Sequence, residues 1–182
     1  GMNLIIDDFD HQLIIKVASV QQSRMQVYFI DNEEYFPKRH YLNDPEGNFM
    51  QNNDERMMFF CKGVIETVKK LGWAPDIIHC NGWFSALVPM YIKKLYNKDP
   101  MFANTKIYYT VFDNPFKGDL NNSLSEKLLF EDLQDKDVEM IGNPTFDNLN
   151  KFAISYSDAV VQGSKKLSKN LRHFSIAFEN KS

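Results

Sequence analysis

The chain has 182 residues, enough for one well-buried domain and too few for two full nucleotide-fold domains. Hydrophobic residues make up 43% and the net charge is −3, with acidic and basic residues interspersed, so there is no electrostatic case for nucleic acid or an anionic membrane. The start is acidic (Asp7, Asp8, Asp10) rather than basic then apolar, so no signal peptide is expected, and no apolar run approaches the ~18 residues of a membrane span. Cys61 and Cys80 are far apart, and His11, His40, His79 and His173 are scattered. Two reduced, buried thiols in a cytoplasmic protein are expected, and no metal site.

Gln12 to Val20 carries Ile14, Ile15 and Val17 and reads as a strand, as does Met25 to Ile30; the polar Gln21-Gln22-Ser23-Arg24 joins them as a hairpin. Asp31 to Gln51 is polar and contains Pro37, Pro45 and Gly47, a loop of a length usually tied to function or disorder. The adjacent carboxylates Asp7/Asp8 and Glu33/Glu34 are poor acid–base pairs, since neighbours on a strand point to opposite faces, and read as solvated charges. Asn52 to Leu71 is a helix by the spacing of Met57, Phe60, Cys61, Val64, Val68 and Leu71, capped by Asn52 and stopped by Gly72 and Pro75. Asp76 to His79 is a strand, and a helix from Trp83 to Tyr96 follows, in which Pro89 should bend the axis or remove a bond. Lys106 to Val111 is a buried strand. Within the weakly patterned Asp119 to Met140 a short helix is expected near Ser125 to Leu133. Asn143-Pro144 should cap and open a helix carrying Phe146, Leu149, Phe152, Ala153 and Tyr156. Ala159 to Gln162 is a strand, Ser164 should cap a last helix with Leu167, Leu171 and Phe174, and Glu179 to Ser182 should fray.

Strands alternating with helices predict an α/β fold: a parallel sheet covered on both faces, plus a hairpin, in a single domain over 1–182. In such sheets ligands bind at the carboxyl ends of strands. The Tyr41 loop, His79 to Trp83, and Phe112 to Asn114 should therefore share one edge. His79 has two readings, a substrate contact or a histidine holding its turn by hydrogen bonds. Trp73 and Trp83 could stack on a ligand's ring or fill the core.

The stretch Pro75-Asp76-Ile77-Ile78-His79-Cys80-Asn81-Gly82-Trp83-Phe84-Ser85-Ala86-Leu87-Val88-Pro89 resembles "DIVHCHDWHTALVP" of bacterial glycogen and starch synthases. Further matches follow in order. Met25 to Asp31 is similar to "VYFID", and Asn53-Asp54-Glu55-Arg56 to the "DNxERF" helix start. Leu71 to His79 is similar to "LGWxPDIVH", Phe102 to Lys106 to "FxxTK", and Ser157 to Ser164 to "ADxVxxVS". The resemblance implies part of the N-terminal Rossmann-like domain of a two-domain (GT-B) glucosyltransferase that uses ADP-glucose to extend an α-1,4-glucan. It implies a nucleotide-sugar donor and a glucan acceptor as partners, with no cofactor. It also places Tyr41, His79, Asn81, Trp83 and Asp113 at the substrate site, with no catalytic nucleophile.

The family's active-site positions differ here. Its "HDWH" turn reads Asn81-Gly82-Trp83-Phe84, and the histidine of "TVHN" is Phe112, which cannot donate a hydrogen bond to a sugar; Asp113 is the polar neighbour that could replace it. The Lys-x-Gly-Gly loop that holds donor phosphates is absent from the sequence. The chain is thus expected to be an interior piece of a first domain, inactive alone, and to self-associate through an exposed sheet edge. The other reading is a non-catalytic glucan-binding or regulatory module.

Overall fold

The computed structural model describes residues 1–37 and 40–181; Lys38 and Arg39 in the long loop, and Ser182 at the expected frayed end, lie outside the described residues. Its first sheet contains a strand that the acidic start concealed. β1 (Met2–Ile6) runs antiparallel to the beginning of β2 (Phe9–Val20), with Ile6 opposite Phe9. Between them Asp7 and Asp8 adopt φ values of 49° and 65°. Two left-handed residues form the turn whose twist suits a hairpin, and short polar side chains tolerate that backbone better than most. These carboxylates are therefore turn residues. β2 turns through the 3-10 segment Gln21–Ser23 and Arg24 (φ 53°) into β3 (Met25–Asp31), Val20 facing Met25, so the expected hairpin forms within an antiparallel β1-β2-β3 sheet.

Helix α1 (Asn53–Leu71) packs on this sheet through β1 and β3. Met57, Met58, Phe59, Cys61 and Ile65 are fully buried or nearly so; each large apolar side chain removed from water contributes on the order of 1.5–3 kcal/mol. At Gly63 the helix comes so close that a Cβ would lie 2.8 Å from Ile30 Cγ2. Asn52 makes no side-chain cap; the amide of Asn53 instead donates to the Leu42 carbonyl at 2.9 Å. Gly72, at φ 74°, closes the helix with its N–H on the Val68 and Lys69 carbonyls.

The second sheet is parallel, in the order β4 (Ile77–Asn81), β5 (Lys106–Val111), β6 (Ala159–Gln162), with Asn81 beside Thr110 and Thr110 beside Val161. Asp158 fixes the start of β6: Oδ2 accepts from the Ile107 N–H at 2.8 Å, and the carboxylate is held by Lys93. The helix expected over 83–96 is broken into a 3-10 turn Trp83–Ser85, a single α-turn α2 (Val88–Met90) and a π-turn Tyr91–Leu95. Pro89 falls in the first turn of α2, where no helical N–H is required, so it removes no bond.

Short helices α3 (Leu124–Leu128) and α4 (Asp135–Val138) occupy the weakly patterned region; α4 has a reciprocal cap between Gln134 and Asp137. α5 (Phe146–Ser155) packs on β5, where buried Asn150 accepts from the Tyr109 hydroxyl at 2.7 Å. Its cap is Thr145, whose Oγ1 accepts from the Asn148 N–H, rather than Asn143. α6 (Lys169–Glu179) packs on β6 and is capped by Ser168, because Ser164 is already engaged elsewhere.

Candidate functional site

A cleft of about 730 Å³ lies where the two sheets meet. Its walls come from Phe29 and Ile30 of β3, Ile78 to Asn81 of β4, and the α1 residues Arg56, Phe60 and Val64. Those three lie at i, i+4 and i+8, one stripe of the helix. Among the described residues β4 pairs only with β5, so its other edge borders the cleft unpaired, and Ile77, His79 and Asn81 are exposed.

Of the residues expected at the site, three meet here. Tyr41, 68% exposed, stands at the mouth with its ring centroid 6.2 Å from that of Phe84. His79 lines the wall, and its Nε2 is 2.6 Å from Thr110 Oγ1, so the turn-holding reading is realised while the ring stays exposed. Asn81 follows on the same side of β4.

The other two are elsewhere. Trp83 is 3% exposed and packs edge-on against Phe84 at 5.3 Å and Phe116 at 4.7 Å, so its ring belongs to the core. Gly82, at φ 76°, starts the turn that sends it there, and its N–H donates to the Thr110 carbonyl. Asp113 is exposed beyond the end of β5 and lines neither this cleft nor the neighbouring one formed by Tyr41, Phe49 and Pro115 to Lys117. Its N–H donates to Ser164 Oγ at 2.8 Å, which explains why Ser164 caps no helix. Phe112 lies over Gly163: a Cβ there would sit 2.5 Å from Phe112 Cε1.

Arg56, Phe36, Phe60 and Phe84 were not expected at the site. The α1 stripe was legible in the spacing of the helix, but a charged residue in its first turn reads as solvated. In the structure Arg56 is 2% exposed. Its Nε donates to the Tyr35 carbonyl, and Nη1 donates to the Tyr41 carbonyl at 2.5 Å and Asn53 Oδ1 at 2.6 Å. The guanidinium also lies 5.3 Å over the Phe36 ring. Arg56 thus holds both ends of the segment that carries Tyr41.

Burial pushes the Cys80 thiol up to about 12 and drives Cys61 higher still, and Cys61 is engaged with the Phe84 carbonyl. Among the described residues no cluster of metal-binding side chains occurs, and no helix is long and apolar enough to cross a membrane.

A family model described as the starch synthase catalytic domain matches residues 3–180. A glycogen synthase of Chlorobium luteolum is 38% identical over 122 residues, 66% of this chain and 25% of that protein. One from Chlorobaculum tepidum is 32% identical over 167 residues, 91% of this chain and 34% of the relative. The catalytic domain of starch synthase IV from Arabidopsis thaliana, solved bound to ADP and acarbose, superposes with a TM-score of 0.67 over 87% of this chain and 31% of that one. At 20% identity this last likeness is one of fold. The chain spans about a quarter to a third of the length of the curated relatives it matches.

Proposed function

The chain belongs to the starch synthase catalytic domain family, and from that membership we propose that it forms part of the first domain of a glucosyltransferase. That enzyme moves glucose from ADP-glucose to the end of an α-1,4-glucan with retention. The observation that carries the reading is the meeting of Tyr41, His79 and Asn81 on one aromatic-walled cleft beside the strand ends of a parallel sheet. These three residues are the proposed sugar contacts. Asp113, outside the cleft, would reach only a ligand extending past β5. With protonated thiols and no carboxylate in the cleft wall, rate acceleration rests on positioning and on dipoles aimed at developing charge.

The sequence has no Lys-x-Gly-Gly, so this chain alone is expected to transfer no glucose; turnover above blank with ADP-glucose and glycogen would refute that. Binding is tested by NMR titration with maltoheptaose. Shifts centred on Tyr41, His79 and Asn81 support the placement, and shifts confined to the α5 surface oppose it. A non-catalytic glucan-binding module is the second reading, favoured by Phe84 and Phe112, which offer no hydrogen bond. Activity assays of the complete gene product separate the two. We also place the protein in the cytoplasm, and expect two copies to associate through the unpaired edge of β4, where Ile77 is 52% exposed. Light scattering showing a single-chain mass at ~100 μM, far above a weak-interface Kd, would oppose association.

A further inference from the structure

A line of side chains joins the antiparallel sheet to the first turn of α1 and ends at the segment that carries Tyr41. His11 of β2 has a side chain only 10% exposed. Its Nδ1 lies 3.1 Å from Glu34 Oε2 and its Nε2 3.0 Å from the Tyr35 hydroxyl, with the two rings 4.6 Å apart. The same hydroxyl is 3.4 Å from Glu55 Oε1. Beyond it, Glu55 and Asp54 of α1 face Lys127 of α3. From β1 the residue opposite His11 is the uncharged Leu4.

Counting protons leaves two arrangements. A carboxylate only accepts, so Nδ1 carries the proton shared with Glu34 in either charge state of the ring. In the neutral ring Nε2 is then an acceptor, and the Tyr35 hydroxyl donates to it. In the imidazolium Nε2 is a donor, so the hydroxyl accepts there and its single proton is left for Glu55. Burial, with Glu55 and Glu34 adding to it, raises the Tyr35 hydroxyl far above its ordinary value, so that proton stays on oxygen throughout. Tyr35 is therefore tied to β2 alone when His11 is neutral, and to β2 and α1 together when it is charged. The backbone of the segment is fixed to α1 as well: the Tyr35 carbonyl accepts from Arg56 Nε and the Tyr41 carbonyl from Arg56 Nη1.

We propose that His11, Tyr35 and Glu55 form a proton-operated latch on the mouth of the cleft. A proton taken from water onto His11 Nε2 turns the Tyr35 hydroxyl onto Glu55 and fastens the segment from Tyr35 to Tyr41 against α1; losing that proton releases it. The N–H bond is the one covalent bond formed, and the rest is rotation of a hydroxyl. Imidazole is the side chain whose ordinary charge change falls between pH ~5 and ~8, so the latch works near neutrality. Its consequence, tighter ligand binding on acidification, rests on the cleft being the ligand site of the proposed glucosyltransferase domain. The latch itself is read without ligand. His40 and His79 also line the cleft, so the test separates them from His11.

The test is an NMR pH titration of the whole chain from pH ~8 to ~5, the range over which imidazole changes charge. The His11 ring, Tyr35 Cζ, Glu55 Cδ and the Tyr41 amide are followed in a His40→Gln background, which removes the titrating neighbour of Tyr41. All should move with one midpoint. Tyr35→Phe keeps the ring and deletes the hydroxyl: His11 should still titrate, while Glu55 Cδ loses its response at that midpoint and the Tyr41 step shrinks. His79 is present in both chains, so the difference belongs to Tyr35. His11→Gln should leave Glu55 and Tyr41 flat at that midpoint, which keeps the proposal testable if Tyr35→Phe folds poorly. Maltoheptaose Kd should be about threefold lower at pH ~5.5 than at pH ~7.5, the effect of a fraction of one charge-assisted hydrogen bond, and Tyr35→Phe should lose most of that change. The latch is overturned by a His11 ring that keeps one charge throughout, by a ring that titrates while Glu55 Cδ stays still, by a Tyr41 step equal in the parent and Tyr35→Phe, or by maltoheptaose binding that ignores pH. Shared titration of the latch residues with no maltoheptaose binding at either pH would support the latch and count against the glucan reading instead.

Discussion

Lys127→Met should be among the most damaging single substitutions outside the core. Lys127, on α3, reaches the first turn of α1, with Nζ 2.7 Å from Asp54 Oδ2 and 3.3 Å from Glu55 Oε2. The Asp54 side chain is 0% exposed, and its Oδ1 has no partner. The two partners report opposite balances. Burial lifts the Asp54 carboxyl above its ordinary 3.8 despite the ammonium beside it. Burial also lowers Lys127, but Asp54 and Glu55 outweigh that and raise it. The intact pair is thus near break-even for folding, and the damage lies in breaking it. Losing one partner of a buried pair costs about 3–5 kcal/mol, because the remaining charge is uncompensated. Asp54 would then hold a proton more tightly than the unfolded chain does. Since its folded pKa is raised, stability falls as pH rises through that value and returns on acidification toward 3.8. Urea unfolding should show the full deficit near pH ~8 and a smaller one near pH ~5, changing by at most about 1.4 kcal/mol per unit for one proton. Asp44, Asp99 and Asp137 are held low mainly by backbone N–H groups, so their contribution is lost only as pH falls below 3.8, outside this window. Adding Asp54→Asn should restore most of the loss. A deficit under ~1 kcal/mol, or one independent of pH, would refute the reasoning.

Gly163→Ala should cost about 1–3 kcal/mol by overpacking, because the new methyl would lie 2.5 Å from Phe112 Cε1 and 2.6 Å from Thr110 Cγ2; an unchanged Tm in calorimetry would mean that Phe112 moves freely. Tyr41→Ala, at an exposed ring, should leave Tm alone and raise the maltoheptaose Kd roughly three- to tenfold, about 0.5–1.5 kcal/mol of ring contact, as read by calorimetric titration. Thr110→Val removes the partner of His79 Nε2. It should lower stability by no more than about 1.5 kcal/mol, since the exposed ring can turn to water, and weaken maltoheptaose if His79 must be held in place.

Most of the second sheet and α1 could be read from the sequence because each has one dominant signal. Ile77-Ile78, Ile107 and Val160-Val161 are short apolar runs, and Met57 to Leu71 keeps a helical period over about four turns. β1 was hidden by the opposite circumstance. Met2 to Ile6 has the right composition, but the two aspartates after it look like a charged leader until their left-handed conformation makes them a turn. The break in the 83–96 helix could not be read either. Its apolar positions fit one helix, and only tertiary packing of Trp83 and Tyr91, both buried, winds it tighter and then looser than α. At the candidate site, strand-end logic pointed to His79 and Asn81 and the long loop to Tyr41, and these three line one cleft. Of the two readings open for Trp83, the ring takes the core one, because a residue after a strand can turn inward as readily as outward and the chain position does not say which. Arg56 was missed because its role depends on carbonyls of Tyr35 and Tyr41, contacts across 21 and 15 residues that no local pattern records.

The unpaired edge of β4 serves both halves of this picture, and the two uses exclude each other. Ile78, His79 and Asn81 line the cleft, and they also belong to the strand whose free edge would pair with a second copy. A partner strand laid along β4 would sit about 4.8 Å away and fill the space in which a ligand must lie. A ligand that binds only the open chain must therefore pull the equilibrium toward monomer, by an amount set by its concentration relative to Kd. At one hundred times its Kd the shift is about 2.7 kcal/mol for each chain freed, enough to dissociate a micromolar pair at working concentrations. Light scattering with increasing maltoheptaose should then show the mean mass falling toward that of one chain. A mass that stays at two chains while the cleft resonances saturate would place the interface elsewhere, with Phe9 and Phe130, 69% and 66% exposed and outside the cleft wall, among the exposed apolar side chains left to carry it.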